Sequence, residues 1–70
     1  MLRTTALPLG ERRIYRRKEV EAKTGLKRSS IYRGMKKREF PQAVPLGKRA
    51  VGWDSVEIDE WIADRLKERA

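Results

Sequence analysis

The chain has 70 residues, enough for one small domain and too few for a second core. It holds no histidine and no cysteine, which excludes a disulfide, a thiolate metal site, a thiol nucleophile and an ordinary Ser-His-Asp triad, and its five glycines show no phosphate-loop spacing. The formal charge is +8 and unevenly divided: residues 1–53 carry 15 basic and 4 acidic side chains, residues 54–70 carry 3 basic and 6 acidic ones. A basic body with an acidic C-terminal stretch suggests one face built for a polyanion and another kept off it. Nucleic acid is favoured over a membrane, because no apolar run approaches spanning length and no signal peptide is visible. The chain is expected to be a cytoplasmic, non-enzymatic binding protein with no cofactor, metal or small-molecule effector.

Residues 1–12 read as a flexible arm, with Pro8, Gly10 and no periodic pattern. Residues 13–70 form the folding unit. Ile14 and Tyr15 read as a short extended segment. Arg17 to Thr24 reads as a two-turn helix, with Val20 and Thr24 on one face. Gly25 ends it in the left-handed conformation of a C-cap, and Leu26 turns back as an apolar plug.

A second helix is expected over Arg28 to Lys37. With Ile31 at zero on a wheel of about 100° per residue, Met35 falls near 40°, and the two make a buried stripe. Ser29, Arg33, Lys36 and Lys37 occupy the opposite face, with Ser30 beside them and Tyr32 on the shoulder. Gly34 weakens this helix by about 1 kcal/mol relative to alanine; it would permit close approach of another element, which the sequence alone does not establish. Phe40-Pro41 is expected to terminate the segment, leaving the Phe40 ring to cover the end of the core.

Residues 43–53 read as a small hairpin. Val44 and Leu46 alternate on the way out, Val51 and Trp53 on the way back, and Lys48 and Arg49 sit at the tip. Pro45 places the outgoing strand at an edge. The last helix opens on Asp54, a good N-cap, with Glu57 three residues on as the acidic partner of a capping box. Ile58, Trp61, Ile62 and Leu66 follow at helical spacing as its packing face. The tryptophans suit base stacking or core packing, and their place on the apolar pattern favours the core.

The fold class expected is therefore α+β: a small winged helix-turn-helix, with three helices and a short β-hairpin wing before the C-terminal one. The major groove of double-stranded DNA admits one helix. The second helix has the apolar back and the varied cationic front that insertion needs. Arg33 is the leading base-contacting candidate, since its planar fork matches guanine O6 and N7. Ser29 and Lys36 are further base-contacting candidates. Arg28, Ser30, Tyr32 and Lys37 are assigned to the DNA backbone, with Lys48 and Arg49 reaching phosphate or the adjacent minor groove from the wing. A solvated basic surface is the bland alternative.

The ordered run Lys18-Glu19-Val20, Thr24-Gly25-Leu26, Arg28-Ser29-Ser30-Ile31-Tyr32-Arg33, Phe40-Pro41, Leu46-Gly47, Val51-Gly52-Trp53 and Glu57-Ile58-Trp61-Ile62 resembles the AlpA family of phage and prophage regulators. That family lies within the wider group of MerR-like and excisionase-like winged helix-turn-helix domains. The resemblance covers Ile14 to Leu66. It implies transcriptional control of phage or mobile-element genes, with Arg28 to Lys37 as recognition helix. Two departures stand out: Lys27 where the family commonly has a capping serine, and Gly34 where it tends to have a larger apolar residue. The alternatives are an excisionase-like architectural factor that bends DNA beside a recombinase, an RNA-binding module, and a protein-interaction module using Trp61 and the acidic helix. Expected partners are double-stranded DNA and, beyond it, a second copy on adjacent sites, a recombinase or RNA polymerase.

Overall fold

The computed structural model describes residues 12–69. Apart from Arg12, the arm expected over residues 1–12 lies outside the described residues. The elements run β1 (Ile14–Tyr15), α1 (Arg17–Thr24), α2 (Arg28–Lys36), β2 (Val44–Pro45), β3 (Val51–Asp54) and α3 (Ser55–Lys67). This is the expected three-helix winged arrangement, with one addition. The extended segment at Ile14–Tyr15 pairs antiparallel with β3, making a three-stranded sheet in the order β1-β3-β2.

The helix pair is set by its turn. Gly25 adopts φ 77°, and its amide closes α1 on the Glu21 carbonyl at 2.8 Å. A β-carbon disfavours that conformation, which is why glycine is the common choice at this cap. The Thr24 hydroxyl bonds back to the Val20 carbonyl at 2.7 Å and receives the Leu26 amide at 3.2 Å, so the three-residue turn from Gly25 to Lys27 is held from both sides. Lys27 caps nothing with its side chain.

α2 ends one residue earlier than expected, with Lys37 as its C-cap. Phe40-Pro41 does not stop it. Arg38 takes φ 63°, and the amides of Arg38 and Glu39 bond to the carbonyls of Met35 and Gly34 at 3.1 and 2.8 Å. This is a Schellman-type ending with arginine in the usual glycine position. Gly34 does admit a close neighbour: a β-carbon there would stand 3.0 Å from Phe40 Cβ.

The core is Tyr15, Val20, Ile31, Phe40, Trp53 and Ile58, with Leu26, Met35, Ala43, Trp61 and Ile62 packed around it. β1, α1, α2, β3 and α3 all contribute, as a chain this short requires, while β2 lies exposed at the sheet edge. Trp53 is fully buried and its indole N–H reaches the Pro41 carbonyl at 3.1 Å, tying the loop before the wing to the sheet. Trp61 stacks edge-on to Phe40 at 5.0 Å, and its N–H donates to the Glu39 carbonyl. Both tryptophans serve the fold.

The wing differs from a simple amphipathic hairpin. Val44 opposes Gly52 and Pro45 opposes Val51. Trp53 is buried, while Val51, two residues back on the same sheet face, lies beyond the core and stays exposed. Ile14, Val44 and Leu46 are exposed too. At the start of α3, the Asp54 carboxylate accepts from the Val56 amide, as an N-cap should. Glu57 does not reach back to close a capping box; Arg12 fills that side with a two-pronged ion pair to Asp54, at 2.6 Å for the closer contact. The expected packing face of α3 stops short of its end, and Leu66 is 54% exposed.

Candidate nucleic-acid interface

Ile31 is fully buried and Met35 is packed against the core, so α2 has the apolar back its sequence pattern requires. With that back fixed, the helix presents Ser29, Arg33 and Lys36 outward, one stripe at spacings of four and three, all exposed. The flanks differ. On one side Tyr32 sets its ring edge-on to Trp53 at 6.3 Å, and the Arg28 guanidinium lies over the Tyr32 ring at 5.4 Å. On the other side Ser30, Arg33 and Lys37 border an open cleft that α3 lines with Trp61 and Arg65. α3 therefore meets the edge of α2 with an aromatic ring and a cation. Its acidic residues Glu57, Glu60 and Asp64 line a separate groove with residues 38–44.

Ion pairing sorts the cations more sharply than composition does. Arg12 pairs with Asp54, Arg13 with Glu19, Arg17 with Glu21, Lys23 with Asp59 and Arg65 with Glu68. Among the described residues, none of Lys27, Arg28, Arg33, Lys36, Lys37, Arg38, Lys48 or Arg49 has a carboxylate within ion-pair distance. Arg16, Lys18, Lys67 and Arg69 also lack such a partner, but eight of the twelve unpaired cations among the described residues lie on α2, at its two ends or at the wing tip. Isolated exposed ion pairs contribute little stability. The informative point is where pairs are missing, since neighbouring unpaired cations repel one another and are relieved by an anionic ligand. Among the described residues, the one polar contact of Arg33 is a long 3.5 Å approach to Ser30 Oγ one turn back, and the residue is exposed.

The first turn of α2 carries no acidic residue, and its N-cap, Lys27, offers no acceptor. The helix thus begins with cations at its positive dipole end, the reverse of the acidic start of α3.

A profile of the family described as "Prophage CP4-57 regulatory protein (AlpA)" matches residues 13–66. The chain belongs to the AlpA family. It is 39% identical over 61 residues to "DNA-binding transcriptional activator AlpA" of Escherichia coli (strain K12), covering 79% of this chain and 87% of that one. It is also 39% identical over 69 residues to "Uncharacterized protein ORF88" of Enterobacteria phage P4, covering 94% of this chain and 78% of that one. No solved structure matches the chain at a significant level.

In this AlpA family member every residue singled out on α2 and the wing lies at the surface, with Ser30 the least exposed. Sequence reasoning missed three contributors to the site's shape. Arg38 extends the unpaired cationic run past the helix end. Arg16 touches the wing root, its Nε 3.2 Å from the Val51 carbonyl oxygen. Ser55 is fully buried at the junction of β3 and α3, and its hydroxyl accepts the Arg13 amide at 2.8 Å. Only the basic character of Arg16 and Arg38 was visible beforehand. Among the described residues no helix is long and apolar enough to cross a membrane, and no group of acidic side chains could hold a metal ion.

Proposed function

We propose that this chain binds double-stranded DNA with α2 in the major groove and the wing on the flanking backbone, and so regulates transcription of phage or mobile-element genes from within the cytoplasm. The observation that carries the reading is the concentration of unpaired cations on α2, its ends and the wing tip, on a helix whose apolar back is locked into the core. Membership of the AlpA family, with a relative named as a DNA-binding transcriptional activator, supports the same reading.

In this reading Arg33, Ser29 and Lys36 touch base edges. Arg28, Ser30, Tyr32, Lys37, Lys48 and Arg49 hold phosphate or sugar. The lysines act as point charges, and the exposed hydroxyls and first-turn amides of α2 as donors. A surface this small covers one short stretch of groove, so specific sites are expected to be repeated, with further copies of the chain on adjacent ones. Recombinase or RNA polymerase is the further partner such a regulator would meet on DNA.

Selection of duplexes from a random pool tests the proposal. Enrichment of one motif, with a matched RNA duplex failing to compete, is the expected result. No enrichment, or equal competition by RNA, overturns it.

A further inference from the structure

The wing is attached by little backbone. β2 is two residues long, and the Pro45 nitrogen has no hydrogen to donate. The Leu46 amide bonds to the Ala50 carbonyl at 2.7 Å, and Gly52 opposes Val44, so Ala50 and Gly52 are the β3-side residues turned toward β2. The alternate residues turn toward β1. The Ser55 amide bonds to the Arg13 carbonyl and Trp53 pairs with Tyr15. Continuing that register, Val51 faces the place where Arg17 would stand. By then the chain has left the sheet: Arg16 is the N-cap of α1 and Arg17 begins the helix. The Arg16 side chain supplies the missing donor, with Nε 3.2 Å from the Val51 carbonyl oxygen. Arg16 has no carboxylate partner among the described residues, so this contact is its one anchor.

We propose that Arg16 is a positioning residue that locks the wing to the helix pair, so that Lys48, Arg49 and α2 meet one duplex as a single rigid surface. The proposal rests on the DNA-binding reading above. A wing free to swing would pay ordering entropy on binding, and its two cations would add little. Two bare variants separate this role from a plain phosphate contact. Arg16→Gln keeps an N–H donor the same number of bonds from the backbone as Arg16 Nε and removes the charge. Arg16→Met keeps the length and removes both.

Each variant is crossed with the Lys48→Ala/Arg49→Ala pair, and affinity for an enriched duplex is measured against salt. In the wild type and in Arg16→Gln, the wing pair is expected to flatten the salt dependence by about 1.8 in log–log slope, from ~0.9 for each phosphate neutralised by a wing cation. In Arg16→Met the wing pair is expected to change affinity by no more than about twofold, the ordinary error of additivity. Equal wing costs in all three backgrounds, or Arg16→Gln behaving like Arg16→Met, overturn the proposal.

A second measurement needs no DNA. Arg16→Met is expected to speed hydrogen exchange at the Leu46 amide and leave that of Ile31 in α2 unchanged, with Arg16→Gln close to wild type. Unaltered Leu46 exchange in Arg16→Met overturns the lock. If the wild type binds no duplex, the functional reading falls, and the exchange experiment still decides whether Arg16 holds the wing.

Discussion

Gly52 is the position where the sheet has least room, and Gly52→Ala tests it. A methyl there would overlap Ile14 Cγ2 and stand 3.1 Å from both Leu46 Cδ1 and the Tyr15 carbonyl oxygen. Leu46 is exposed and can swing away. The Tyr15 oxygen cannot, because Tyr15 is paired to Trp53 in the ladder. Ile14 offers no flexible end either, since the overlapped methyl is on its branch point. The strand must shift, and overpacking of this kind costs about 1–3 kcal/mol. Replacing glycine by alanine returns about 0.4–1 kcal/mol by restricting the unfolded chain. The net loss, about 1.3 kcal/mol at the midpoints of the two ranges, lowers Tm by roughly 5–10 °C in a domain of this size. Thermal unfolding followed by far-ultraviolet circular dichroism and tryptophan fluorescence reads the shift. Adding Ile14→Ala, at a site 39% exposed, is expected to recover most of it. A Gly52→Ala protein that melts with the wild type would show that β1 does not press on β3, and the account of the wing root would go with it.

Arg33→Ala is expected to weaken the selected site by about 1–3 kcal/mol and relax preference at one or two base positions, as loss of a bidentate pair would; repeating the selection with the variant checks this, and an unchanged motif removes Arg33 from the base-reading role. Lys48→Ala/Arg49→Ala is expected to weaken selected and random duplexes alike; loss confined to the selected duplex would show the wing reading sequence. Asp54 has its carboxyl held below the usual range, first by the hydrogen bonds from Arg12, helped by the Val56 amide and the Arg12 charge and opposed by burial. A lowered folded-state pKa stabilises the protein above the unfolded value, and that contribution is lost as acid protonates the folded carboxylate, below about pH 4. Asp54→Asn should therefore lower the urea midpoint at neutral pH and show a shallower further fall in acid; parallel curves for the two proteins would refute the linkage. Ser55→Ala leaves the Arg13 amide, at a part-buried position, without its acceptor and is expected to cost about 1 kcal/mol in chemical denaturation.

Much of the site was legible because helices are local. The spacing of Ile31 and Met35 fixes which way α2 turns, and the same period fixes Ser29, Arg33 and Lys36 on the opposite side. Gly25 and Asp54 mark helix ends by backbone chemistry that acts within a few residues. The reading erred where an outcome depended on distant partners. Lys37 fell outside α2 because Arg38 could adopt a left-handed conformation that glycine would have announced. Leu66 keeps the helical period, yet no element among the described residues covers it. Val51 shares a face with buried Trp53 and is exposed because the core ends between them.

The sequence by itself determined three helices, their starts, the end of α1 and the cationic front of α2, since each is written in residues at most about a turn apart, and it marked the wing by its alternation. Tertiary structure decided the pairing of β1 with β3, the need for glycine at position 52 and the contact of Arg16 with Val51. It also decided which cations are neutralised: Arg12 finds Asp54 across 42 positions of chain, and the cations of α2 find no acid among the described residues. Strand pairing and ion pairing join residues far apart in the chain, so their geometry exists only once the chain has closed on itself.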